Sequence, residues 1–267
     1  MNFEMTVPSS PLFLAIALTG TPGTGKTAVS KKLREEGYNV LHLTEFIQEK
    51  NIPSDYDSDR DCFVVDMTAL EKAVYKYQDD LTNEFHKSYF EKNMTQNDFY
   101  TSPANLPVLI IESHLAHYLC NYSIILRTHP NTLKIRLDER GYSEKKVMEN
   151  VLAESIDVIL CDCFDYCHRI YEINTTEITL SETVNCVKEL VQALYEDELE
   201  KYDEYISKKN EKNEKVETVS GKKVSAAEDS GVEIYDDSET DVDYVDESHP
   251  ILSKYTPGKN DWSHLTD

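Results

Sequence analysis

The chain has 267 residues, room for one large domain or a medium domain with appendages. Its 50 acidic side chains against 27 basic ones leave a formal charge of −23, which excludes a duplex-DNA or anionic-membrane binder built on net attraction. No apolar run approaches the ~18–20 residues that a bilayer crossing needs. The six cysteines, without a recognisable export signal, read as reduced thiols of a cytoplasmic protein, nuclear as well if the source is eukaryotic.

Leu12–Leu18 is an apolar run between Pro11 and Gly20 and reads as a strand buried on both faces. A glycine loop follows, then a helix over Thr27–Glu36 with Ala28, Val29 and Leu33 on one face, closed by Gly37. Asn39–Leu43 is a second strand and Thr44–Lys50 a short helix. Asn51–Asp61 is polar and rich in aspartate, and Phe63–Met67 resumes as a strand or short apolar segment. Thr68 with Glu71 forms a capping-box pattern that opens a helix to about Asn93. After a loop with two prolines come a strand at Val108–Ile111, a short helix at His114–Leu119 and a strand at Ser123–Leu126. Asn131–Arg140 is helical and stops at Gly141. Ser143 caps a helix running to about His168, Ile170–Ile173 is the last strand, and Thr179 with Glu182 opens a helix through Leu199 or beyond. Strands alternating with long helices predict an α/β fold: a parallel sheet flanked by helices on both faces.

The C-terminal part differs in kind. From Glu196 to Asp267 the chain holds 21 acidic and nine basic residues and loses its apolar periodicity after about Ile206. Such a composition buries too little apolar surface to offset chain entropy. The expected organisation is a folded domain over 10–206 and a disordered acidic tail over 207–267, with Ser238 and Thr240 as candidate phosphorylation sites. Pro250–Asp267 carries the only tryptophan, Trp262, and is read as an unstructured end, a docking peptide being the alternative.

The sharpest chemical signal is Gly20-Thr21-Pro22-Gly23-Thr24-Gly25-Lys26-Thr27, a complete G-x-x-x-x-G-K-[ST] loop between a strand and an amphipathic helix. Its glycines let successive main-chain N–H groups, Thr24 among them, curl around a polyphosphate at the positive end of the helix. Lys26 supplies a mobile ammonium for the β- and γ-phosphates of ATP, and the Thr27 hydroxyl suits Mg²⁺. Glu112, at the carboxyl end of an apolar strand, is the catalytic candidate for holding a Mg²⁺-bound water or orienting an attacking water, with His114 beside it. Asp66 also follows an apolar run, and its pattern fits a site role and a helix start equally. Arg136 and Arg140 share one helical face and suit a transferring phosphoryl group, with Arg127 at the end of the preceding strand. No Asn-Lys-x-Asp string is present, which counts against a guanine-reading GTPase. Cys161, Cys163, Cys167 and His168 look like a metal cluster, but Ile159, Cys163 and Cys167 fall at helical spacing and read as packing. His42, His86 and His129 read as isolated structural or exposed histidines.

The glycine loop, Glu112-Ser113-His114-Leu115-Ala116-His117, Leu126-Arg127-Thr128 and Arg136–Lys146 together resemble the adenylate kinase isoenzyme 6 family. That family comprises a eukaryotic nuclear adenylate kinase/ATPase and its archaeal relatives, and the resemblance covers roughly residues 12–194. It implies a P-loop adenylate-kinase-like fold with a short lid, transfer of phosphoryl from ATP to AMP, and intrinsic ATPase activity. It also implies a part in small-ribosomal-subunit maturation, through contact with a small-subunit ribosomal protein on the pre-ribosome. Gly23, Gly25, Lys26 and Thr27 match the family's phosphate loop, Arg136 and Arg140 its lid arginines, and Glu112 with His114 its Asp-x-His motif. Glutamate therefore replaces the usual aspartate at position 112. Asn51–Asp66 corresponds to the AMP-binding part, where Arg60 is the only arginine and the candidate for the AMP α-phosphate.

Overall fold

A computed structural model describes residues 11–58, 62–220 and 249–262. Five strands form one parallel sheet in the order β2-β5-β1-β6-β7: β1 (Leu14–Thr19), β2 (Asn39–His42), β5 (Val108–Glu112), β6 (Tyr122–Arg127) and β7 (Arg169–Asn174). β1 lies at the centre, with Leu18 opposite Glu112 on one neighbour and Ile124 on the other. The order reverses direction there, so the crevice beyond the carboxyl end of β1 is where a parallel sheet leaves room for a ligand.

The sheet is buried on both faces because its strands are apolar on both. Ile16, Leu18, Ile110, Ile124 and Ile173 pack against α1 (Lys26–Glu35) and α7 (Leu180–Ser220) through Val29, Leu33, Val187, Leu190 and Leu194. Ala17, Leu41, Leu109 and Ile111 pack on the other face against α2 (Leu43–Glu49) and α3 (Met67–Glu91) through Phe46, Leu70 and Val74. Between β6 and β7 run α4 (Pro130–Glu139), α5 (Glu144–Ser155) and α6 (Val158–Tyr166). Cys163 and Cys167 are buried with Ile125, Leu160 and Ile170, as their spacing predicts.

Several expectations are corrected. The polar stretch before Phe63 contains a strand that was not expected: β3 (Ser54–Asp57) pairs antiparallel with β4 (Cys62–Val65) as a hairpin separate from the main sheet. Arg60 lies outside the described residues. Asp66, not Thr68, caps α3, its carboxylate accepting the Ala69 N–H at 3.1 Å. This places Asp66 at a helix start. The helix expected from Ser143 to His168 is two helices, because Asp157 adopts the left-handed conformation (φ 58°) between them.

The last helix does not stop at residue 206. α7 continues to Ser220, and beyond the core Glu204 and Lys208 pair one turn apart at 3.2 Å, as helix-supporting charges do. Nor is the segment around Trp262 an unstructured end. Residues 249–262 form a strap: Leu252 is fully buried in the main core, and Lys254 and Tyr255 reach Glu189 of α7 at 3.1 and 2.9 Å. Ser238, Thr240 and the rest of 221–248 lie outside the described residues.

Candidate active site

The loop Gly20–Thr27 leaves β1 and enters α1 with Gly20, Gly23 and Gly25 all at positive φ. Two of these glycines are also demanded by space. A Cβ on Gly20 would stand 2.4 Å from the Leu126 carbonyl oxygen, and one on Gly23 would stand 2.6 Å from Leu133 Cδ1 of α4. The Lys26 ammonium donates to the carbonyls of Gly20 at 2.6 Å and Thr21 at 3.1 Å, and Thr24 Oγ1 donates to the Thr21 carbonyl at 3.0 Å. Burial draws the Lys26 pKa down to about 8, against the opposing pull of Glu112 and Glu154 and with the help of Arg140.

Glu112 ends β5 beside the first turn of α1. Its Oε1 accepts the Thr27 hydroxyl at 3.1 Å and its Oε2 accepts from His42 Nδ1 at 3.0 Å. Burial would raise its pKa, but the His42 hydrogen bond, the Lys26 charge and the Thr27 hydroxyl outweigh this and leave the carboxyl below its ordinary range. An ionised carboxylate only accepts, so His42 presents Nδ1–H to it. His42 Nε2 is buried with no hydrogen-bond partner among the described residues. Reading His42 as an isolated histidine was therefore wrong. The available signal was its place at the carboxyl end of a strand, where parallel sheets gather functional side chains.

His114 stands two residues beyond the strand end, at the mouth of the cleft, its pKa lowered to about 4 by desolvation and by the Lys26 charge. His117 is buried deeper, its Nδ1 3.3 Å from Thr19 Oγ1 and its Nε2 3.8 Å from Asp162. Arg136 is fastened from α4 to the far wall: Nη1 donates to Thr128 Oγ1 at 3.2 Å and Nη2 to the Thr175 carbonyl at 2.8 Å. Burial and the neighbouring Arg140 both lower its pKa. Arg140, at the end of the same helix, is exposed and close enough to be felt by Lys26 as well. Thus Lys26, Thr27 and Glu112 are brought together, with His114, Arg136 and Arg140 around them.

Arg127 is not part of that group. It points away into a buried cluster, donating from Nε to Glu154 Oε1 at 2.9 Å and from its other nitrogens to Glu172 and Asp157. Burial opposes its charge, but the three carboxylates prevail and raise its pKa above the ordinary value. Its partners there make it a structural residue. Glu154, which sequence reasoning missed, ties this cluster to the loop: its Oε2 accepts the Thr21 hydroxyl at 2.5 Å, while Oε1 also takes the Thr128 N–H at 3.0 Å.

A family model described as an AAA domain matches residues 16–157, which hold the loop, both arginines and Glu154. A protein of Methanosarcina acetivorans named "Putative adenylate kinase" is 42% identical over 193 residues, covering 72% of this chain and 94% of that protein. One of the same name from Methanosarcina mazei is 39% identical, over 71% and 94% of the two chains. Another from Methanocaldococcus jannaschii is 35% identical over 68% and 86%. This chain belongs to that archaeal adenylate kinase family. It is accordingly an ATP-dependent phosphotransferase of the nucleotide-kinase kind, on a P-loop fold with a parallel sheet. Among the described residues, no helix is long and apolar enough to cross a membrane.

Proposed function

We propose that the chain transfers the γ-phosphoryl group of ATP to AMP and hydrolyses ATP slowly as a side activity. The observation that carries this reading is the juxtaposition of Lys26, Thr27 and Glu112 under a glycine loop that faces the Arg136–Arg140 end of α4. Loop N–H groups and Lys26 hold the β- and γ-phosphates, and the two guanidinium groups offset charge that spreads over the transferring phosphoryl. The acceptor phosphate of AMP arrives as an anion with a nucleophilic oxygen of its own, so the protein need supply no base. Positioning and charge compensation do the work.

The Thr27 hydroxyl and the Glu112 carboxylate, hard oxygen donors 3.1 Å apart, fit Mg²⁺ and would hold it directly or through water. Bound there, the ion would neutralise the β,γ-oxygens. By the family resemblance, the AMP-binding part is the stretch Asn51–Asp66 that carries the β3–β4 hairpin, and the relatives' printed name supports the same acceptor.

The decisive experiment follows ATP consumption and ADP formation by the purified full chain in Mg-ATP, with and without AMP. AMP-dependent turnover yielding two ADP per ATP supports the proposal. ATP loss that AMP leaves unchanged would replace it with an ATPase that gates a protein interaction, the ribosome-assembly reading.

A further inference from the structure

The strap bears on the nucleotide site through the Arg127 cluster. Trp262 lies over the Arg127 guanidinium, its ring centre 4.9 Å from the central carbon, and it meets the His129 ring in a T-shaped contact with ring centres 5.9 Å apart. Four residues earlier, the Gly258 N–H donates at 2.7 Å to Glu172, one of the three carboxylates around Arg127. Asn260 accepts from Asn174, the last residue of β7, at 2.9 Å. The strap therefore touches the cluster twice, once at its cation and once at one of its anions. From the same cluster, Glu154 reaches Thr21 of the phosphate loop, and Thr21 in turn offers its carbonyl to Lys26.

The cluster sets one guanidinium among three carboxylates, and Glu154 and Glu172 are almost wholly buried. Such a group keeps its geometry only while water stays out and each oxygen keeps its donor. The indole face over Arg127 keeps water out and adds a cation–π contact, and Gly258 supplies a further donor. Without this cover water reaches the guanidinium, the attractions weaken with the rising dielectric, and Glu154 loses the partner that aims it at Thr21.

We propose that the strap 249–262 is a positioning element of the ATP site. Trp262 and Gly258 hold the Arg127–Glu172 pair, which fixes Glu154 and, through it, Thr21 and the phosphate loop. Trp262 touches no reacting atom. The proposal rests on the nucleotide-kinase reading above and adds to it that a segment well over 200 residues away along the chain tunes ATP affinity.

Because Trp262 is the only tryptophan, tryptophan fluorescence in the full chain reports on the docking of the strap against Arg127 and His129. Coupling is reciprocal: if the strap favours the ATP-binding loop, Mg-ATP shifts the emission with a midpoint equal to the Kd from calorimetry. W262A is expected to weaken ATP binding about tenfold and leave the KM for AMP within about twofold. W262F, which keeps a ring over the guanidinium, recovers most of that loss. Wild-type protein that binds no Mg-ATP in calorimetry overturns the nucleotide reading and this proposal with it. Wild type and W262A binding ATP equally overturns the strap's role alone and leaves the kinase reading standing. Should W262A fail to fold, the wild-type titration decides: saturating Mg-ATP with an unchanged tryptophan spectrum overturns the proposal.

Discussion

Two buried glutamates flank the phosphate loop, and they are held in opposite ways. Glu154 on the β6–β7 side has its oxygens taken by Arg127, the Thr128 N–H and the Thr21 hydroxyl. Glu112 on the β5 side accepts from the Thr27 hydroxyl and from His42, with the Lys26 charge nearby. Both lie within the field of Lys26. A carboxylate saturated by a guanidinium in direct contact and by hydrogen bonds is scaffold; one held by a hydroxyl and an imidazole beside the phosphate loop is left to meet a cation that comes with the substrate. Residue type alone does not separate the two. Their partners do.

The contrast can be broken from several directions. Lys26→Ala removes the one ammonium between the two carboxylates and should lower kcat by about 10⁴-fold, with little change in the circular dichroism spectrum. Coupled assay of ADP formation checks this, and near-wild-type turnover would refute the assignment. Glu154→Ala should instead cost stability, about 3–5 kcal/mol in a urea titration, because it strips a buried guanidinium of a close partner. Glu112→Gln should barely move that urea midpoint yet reduce kcat by about 10–100-fold and raise the Mg²⁺ requirement. If Glu112→Gln were the more destabilising of the two, the division between scaffold and site would fail.

The smallest effect concerns pH. His117, packed among Thr19, Tyr118, Asp162 and His114, has its pKa lowered by burial from 6.5 to about 4, the Asp162 charge opposing. The unfolded chain thus takes up a proton that the fold refuses, so this contribution to stability is complete above pH 6.5 and declines as pH falls towards 4. Urea titrations across that window should show His117→Asn losing about 1–3 kcal/mol less on acidification than wild type. Parallel curves would show that His117 is not the group responsible.

The sequence carried the sheet and the loop because both are written locally. Apolar runs such as Val108–Ile111 can only be buried strands, and Gly20–Thr27 states its chemistry in eight consecutive residues. What escaped depends on contacts distant along the chain. Arg127 at a strand end looks the same whether it meets a phosphate or Glu154, and His42 looks isolated until β2 pairs with β5 and sets it opposite Glu112. The β3 strand was hidden by its aspartates, since a hairpin off the main sheet needs no apolar face to be recognised by. Trp262 lay in a stretch whose average composition speaks for disorder. A handful of residues was enough to dock it, and an average over a window does not register so short a segment.

The close approach at Gly23 has a mechanical corollary. With no room even for a methyl group between the loop and Leu133 and Leu137, the body of α4 is clamped to the loop and the two must travel as a unit. Any movement of this arm over a bound nucleotide therefore begins after Arg140. There Gly141, at φ 73° with open space around it, gives the backbone a place to swivel.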